Sequence, residues 1–176
     1  ESTADDGDHA LTCGGPGVYR YDARRASLPF LPPPPLLGPM VTVRAPATSA
    51  NLGSGYDVFG VAFDRPADVV TVERAAETSI EVTGVGSEYI PNDPEKNTAG
   101  VVAAALDAPA HIAIDKGVRP SSGLGSSAAS AAAAAVALNE LYDRNLSGHE
   151  LVQIAAEGEA AVSGTAHADN VAPAIL

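Results

Sequence analysis

Pro120-Ser121-Ser122-Gly123-Leu124-Gly125-Ser126-Ser127-Ala128-Ala129-Ser130, running straight into the alanines at 131–135, decides how the rest of the chain is read. Two glycines and four serines stand before Ala128. The alanine-rich stretch after them has the composition of a helix, since alanine has the best helix propensity of any residue. A glycine-rich turn feeding a helix N-terminus offers unpaired backbone N–H groups and the positive end of the macrodipole to one spot, which suits a phosphate. The serine hydroxyls add donors and a candidate magnesium ligand. Small side chains up to Ala137 let the helix lie close to the sheet it covers. The stretch predicts a nucleotide phosphate loop; the plain alternative is a Gly/Ser-rich helix start with no ligand.

A Walker A loop would need Gly-x-x-x-x-Gly-Lys-Ser/Thr, its lysine reaching the outer phosphates. This stretch has none; Lys96 and Lys116 are the only lysines in the chain. Residues 123–128 do satisfy Gly-x-Gly-x-x-Gly/Ala. A Rossmann fold, however, wants those glycines directly after a strand, with an acid closing a second strand about 20 residues on. Here residues 116–122 separate the loop from the strand-like 111–115, and Asp143 ends the alanine helix instead. The Rossmann reading is weak.

With 176 residues, 45% of them hydrophobic, the chain can bury one core, with or without a tail. The single cysteine, Cys13, rules out an intramolecular disulfide framework and reads as a reducing cytoplasm. No apolar run approaches a membrane span and no charged-then-apolar leader is present. A formal charge of −12 argues against nucleic acid as a partner. Two lysines against 22 Asp and Glu is the balance of a protein kept soluble in concentrated salt, where ions screen the self-repulsion.

Residues 1–39 hold Gly14-Gly15-Pro16-Gly17 and the run from Pro32 to Pro35, without hydrophobic periodicity. Such a segment cannot offset its own ordering entropy, so a disordered extension, not native to the domain, is expected. The domain is expected over 40–176, beginning at Met40. Residues 41–44, 68–74, 79–83 and 111–115 read as strands by their β-branched content, and 97–106 and 127–142 as helices. Ser147-Gly148-His149-Glu150 is a capping box opening a third helix to about Ser163, with Gly164 as its stop. This order predicts α+β, with helices covering one face of a sheet.

On the third helix, at about 100° per residue, Leu151, Ala155, Gly158 and Val162 share one stripe, with Val152 and Ile154 on either side. Glu159 falls inside this apolar sector, whereas Glu150 and Glu157 fall on the opposite side. Glu157 therefore reads as a solvated surface charge. A carboxylate on the buried face needs a metal ion, an arginine or backbone N–H groups as partner. With few arginines and a phosphate loop upstream, the metal is the expectation.

Pro-x-x-x-Gly-Leu-Gly-Ser-Ser-Ala-Ala resembles the second signature of the small-molecule kinases acting on galactose, homoserine, mevalonate and phosphomevalonate, the GHMP kinases. Arg44-Ala-Pro-Ala-Thr-Ser-Ala-Asn-Leu-Gly-Ser-Gly-Tyr-Asp-Val-Phe-Gly60 resembles their first signature in its homoserine-phosphorylating form. A lysine after Ala-Pro-Gly and a downstream Gly-Glu-His, typical of the sugar and mevalonate branches, are absent. Ala156-Glu157-Gly158-Glu159 with His167-Ala168-Asp169-Asn170-Val171-Ala172-Pro173 is a third match. The resemblance covers residues 41–176, with the motifs in order.

The resemblance implies the N-terminal half of the GHMP fold, a ribosomal-protein-like βαβ unit. It implies phosphorylation of the side-chain hydroxyl of L-homoserine by ATP, a step towards threonine, in a cytoplasmic enzyme that uses Mg²⁺ and needs neither membrane nor nucleic acid. The quoted loop, residues 120–130, would meet ATP, and Asn97 would lie in the adenine pocket, although it could equally cap its own helix. Ser127 would join Glu159 on the metal. Asn51 and Asp57, otherwise ordinary turn residues, would bind the amino-alcohol, with Asp57 nearest the reacting hydroxyl as base or as positioner. His167 would meet the substrate carboxylate. The family continues through a second domain that is missing here, and the resemblance leaves a homodimer of the full-length enzyme open. Two alternatives remain: a nucleotide-binding module without turnover, and a GHMP kinase of other specificity.

Overall fold

The computed structural model of the chain describes residues 18–21 and 38–176. Runs of β-branched residues build a sheet from β1 (Val18–Tyr21), β2 (Met40–Ser49), β3 (Val61–Arg74), β4 (Ser79–Gly84) and β5 (Ala110–Lys116). Their spatial order is β1-β2-β3-β5-β4. β4 and β5 are parallel, and the other three pairs antiparallel. A parallel pair needs a crossover, and helix α1 (Thr98–Ala105) supplies it, so β4-α1-β5 is the expected βαβ unit. The fold is α+β, as its order of elements predicts.

One face of the sheet is buried. Val41, Val43, Ala45 and Ala47 alternate inward along β2, and Val70 and Val72 do so on β3. Helix α2 (Ser126–Leu141) covers that face. Its alanines at 128, 129, 131–135 and 137 are each at most 1% exposed, so the helix presents almost no side-chain bulk to the strands. Helix α3 (Gly148–Ser163) opens on the predicted capping box and stops at left-handed Gly164. It crosses α1 at Gly158, where an added Cβ would stand 2.8 Å from Val102 Cγ2. Gly158→Val should therefore overpack the crossing and lower stability by about 1–3 kcal/mol, read by thermal unfolding against Gly158→Ala.

Five elements depart from the expectations. β2, expected over 41–44, runs on to Ser49 because Ala45 and Ala47 continue its inward alternation. Val18–Tyr21 of the supposed extension is a strand on the edge of β2, since Val-Tyr-Arg-Tyr carries the β-branched and aromatic content that an open edge pairs with. The rest of that extension through residue 37 lies outside the described residues. β3 begins seven residues early, at Val61, over a stretch that buries no face and so shows no inward pattern. Val162, expected on the apolar stripe, is 41% exposed because α3 has run past the core by then. Helix α4 (Ala168–Ile175) is short, lacks a side-chain cap and contains Pro173, so no helix signal marks it; Val171, Ala174 and Ile175 bury it.

Candidate active site

β5 ends at Lys116, and the chain then turns back to start α2. The turn uses left-handed backbone at Ser121 (φ 59), Gly123 (φ 76) and Gly125 (φ 62). Gly125 occupies the N-cap position without side-chain capping, which leaves the opening amides of α2 for an outside acceptor. Thr48 N–H donates to Leu124 O at 3.0 Å and Ser126 Oγ donates to Val118 O at 2.7 Å. A cavity of about 580 Å³ lies at this end of the helix.

Nine of the loop residues predicted to meet ATP line that cavity: Pro120, Ser121, Ser122, Gly123, Gly125, Ser126, Ser127, Ala128 and Ser130. Leu124 and Ala129 do not. Leu124, ahead of the helix, packs on the core, and Ala129 is fully buried because the helical period turns it under the sheet-facing side. Asn97 also lines the cavity, and it caps α1, its Oδ1 accepting from Ala99 N–H at 3.0 Å while Nδ2 donates to Pro91 O at 2.8 Å. One side chain therefore both caps α1 and walls the cavity.

Glu159 and Ser127 meet at the same cavity, joined by His167 and Asn170. Glu159 is 3% exposed and its Oε2 has no hydrogen-bond partner; Asp169 Oδ2 is the other buried side-chain oxygen in that state among the described residues. Burial pushes the Glu159 carboxyl above the ordinary range. The Ser127 hydroxyl and the charge of His167 pull it back, and Asp169 pushes it further up. Glu157 is exposed, so the two glutamates lie on different faces of α3. The orphaned Glu159 oxygen and the Ser127 hydroxyl are hard donors of the kind Mg²⁺ takes. No cluster of three His, Cys, Asp or Glu exists among the described residues, so any cation there would need donors from a ligand or water.

Asn51 and Asp57 are exposed, left-handed (φ 58 and 57) and outside the cavity lining. They are brought together with each other: Asn51 Oδ1 accepts from Asp57 N–H at 3.2 Å. Their loop is anchored at both ends near the site. Thr48, just before it, donates its Oγ1–H to Asn170 Oδ1 at 3.1 Å. Gly60, at its far end, abuts Asp169, whose carbonyl oxygen a Cβ would approach to 1.8 Å.

Three residues at the site carry no role on sequence grounds. Asp169 and Asn170 sit within a matched motif on α4, where Asn170 lines the cavity and Asp169 acts on the Glu159 carboxyl by its charge. Lys116 stands outside the loop in sequence, yet its side chain runs beneath it. The ammonium donates to Asp68 Oδ2, to Ser126 O at 2.7 Å and to Ser130 Oγ at 2.8 Å. Burial pushes that ammonium below its usual range, and the Asp68 charge pulls it up. A lysine closing a strand directly before a glycine-rich turn is the signal that could have found it.

The profile of the GHMP kinases N terminal domain matches residues 96–176. The homoserine kinases of Natronomonas pharaonis and Halorubrum lacusprofundi are 78% and 80% identical to the chain over 137 residues, covering 78% of it and 47% of each relative. The crystal structure of homoserine kinase from Cytophaga hutchinsonii superposes with TM-score 0.66 at 38% identity, over 76% of this chain and 45% of that one. The chain thus spans about half the length of the relatives it matches, and the first two come from halophilic archaea, in keeping with its acidic excess. With the glycine-rich loop and the βαβ unit in these positions, the chain carries the N-terminal domain of the GHMP kinases, matched over residues 96–176.

Proposed function

We propose that the protein transfers the γ-phosphoryl group of ATP to the side-chain hydroxyl of L-homoserine, giving O-phospho-L-homoserine and ADP. The observation that carries this is the buried Glu159 carboxylate, with one oxygen left unpartnered, in the same cavity as an uncapped helix N-terminus. The acceptor rests on relatives 78% and 80% identical whose names specify homoserine. Amides of loop 121–128 cradle the phosphates, and the Asn97 side of the cavity, with Tyr89, Ile90 and Pro91, takes the base. Ser127 and Glu159 would hold Mg²⁺, which supplies neutralisation of phosphate charge. His167 meets the acceptor carboxylate. Asn51 and Asp57 orient its ammonium and hydroxyl from the rim, Asp57 lying closest to the reacting oxygen. Phosphoryl transfer asks mainly for such positioning and charge neutralisation.

An acceptor panel in a coupled ADP assay, run on the protein at its relatives' full length, tests the reading. Homoserine should be the acceptor turned over; mevalonate or galactose outperforming it would sink the proposal. The 176-residue chain alone is expected to bind Mg-ATP but to show under a tenth of that turnover, even in concentrated KCl. Leu52, Tyr56, Val58, Phe59, Val61 and Phe63 stand 38–73% exposed in and beside the 51–57 loop, and exposed apolar side chains grouped in this way mark a surface built to meet a partner or a further part of the protein. The second reading, nucleotide binding without turnover, is favoured by Asn51 and Asp57 lying outside the cavity. Equal turnover by the two chain lengths would overturn the expectation.

A further inference from the structure

Asp68 is fully buried in the middle of β3, and its side-chain hydrogen bonds go to the phosphate loop and its immediate flanks. Its Oδ1 accepts from the first two loop amides, Gly117 N–H at 3.1 Å and Val118 N–H at 2.9 Å. Its Oδ2 accepts from Lys116 Nζ and from Ser130 Oγ, the latter at 2.8 Å. Lys116 in turn reaches the far end of the loop, donating to the Ser126 carbonyl, the first residue of α2. The two ends of the loop therefore close on one carboxylate.

We propose that Lys116 and Asp68 are positioning residues for phosphate binding, an ion pair that buckles loop 117–126 shut and fixes where the free amides of α2 point. This rests on the nucleotide reading above. Lys116 does not serve as a phosphate ligand itself. An ammonium has three donors, and all three are engaged by Asp68, Ser126 and Ser130; its side chain is 1% exposed. Nor is stability a sufficient reason for the pair, because well-packed apolar residues serve a buried position as well or better. What a charged pair adds is short, directional bonding. The loop needs that, since Ser121 holds left-handed backbone, a conformation that a residue other than glycine keeps only where the surroundings over-determine it. The amide-lined end would otherwise relax, and its donors would no longer converge.

The test is Lys116→Met combined with Asp68→Asn in the 176-residue chain, with ATP and adenosine dissociation constants measured by calorimetry and unfolding followed by melting. The pair of changes leaves net charge untouched, so the long-range field on the phosphates is the same. Asp68→Glu, which keeps the charge but displaces it by one methylene, is measured beside it. Both should lose at least about tenfold in ATP affinity, about 1.4 kcal/mol, while adenosine affinity stays within twofold, because the base is held on the Asn97 side. A purely structural role would weaken both ligands together. ATP affinity like that of the unsubstituted chain, or parallel loss of ATP and adenosine, overturns the buckle. An unsubstituted chain that binds no ATP overturns the nucleotide reading and this inference with it.

Discussion

Glu159→Gln, in the protein at its relatives' full length, is expected to lower turnover by two to three orders of magnitude, about what losing one fixed electrostatic stabiliser costs. Glu157→Gln should change it less than twofold. The two glutamates are two residues apart on α3, yet one is 3% exposed with an orphaned oxygen and the other faces water. The same substitution should act in the opposite direction on the cation-free chain. Burial penalises the charged carboxylate, and the glutamine, of the same size, carries no charge to desolvate. A chain of this size gains about 2–4 °C per kcal/mol, so the variant should melt a few degrees higher than the parent. Added Mg²⁺ and ATP should then stabilise the parent and leave the variant's melting unmoved by the metal. If the two glutamine variants match in turnover and in melting, the facial assignment of the cation site is wrong.

Gly125→Val is expected to abolish measurable ATP binding, a loss of at least about 100-fold, or 2.7 kcal/mol. On sequence grounds alone, a side chain here would block the phosphate directly. The structure gives a different cause: a Cβ on Gly125 would lie 2.2 Å from Thr48 Oγ1 and 3.2 Å from Asn170 Oδ1. Thr48 is fully buried and bonded to Asn170, so it cannot step aside, and a β-branched residue at φ 62 adds strain of its own. Gly123→Ala separates the two effects. That position is also left-handed, at φ 76, but a Cβ there meets nothing within 4 Å. It should lose only the backbone preference, about 1–2 kcal/mol, and keep measurable affinity by calorimetry. Equal losses at the two glycines would show that backbone strain alone is responsible.

How far the fold can be read from the residues depends on whether each element buries a face. β2, β5, α2 and α3 all do, and alternation, alanine content and a capping box mark them. The first half of β3 buries nothing, so it leaves no periodic trace. α4 is held by three buried side chains that pack on the rest of the fold, a tertiary cause with no local sign. At the site, Glu159 is legible because a charge in an apolar stripe violates the pattern. Lys116 is not, because its partner Asp68 lies 48 residues away in sequence, and only strand pairing brings them to one spot. Asn51 and Asp57 are legible as a pair but not as outsiders to the cavity.

Asn97 holds the first turn of α1 with the same amide that walls the cavity. On the nucleotide reading proposed above, recognition and folding are therefore coupled at a single position. Trimming that side chain to widen the pocket for a different nucleobase would surrender the cap, about 0.5–2 kcal/mol, before any new ligand compensated for it. Redesign of base preference in this domain is thus easier to begin at Tyr89, Ile90 or Pro91, which line the same wall and cap no α-helix, with Asn97 left as the fixed point around which the pocket is reshaped.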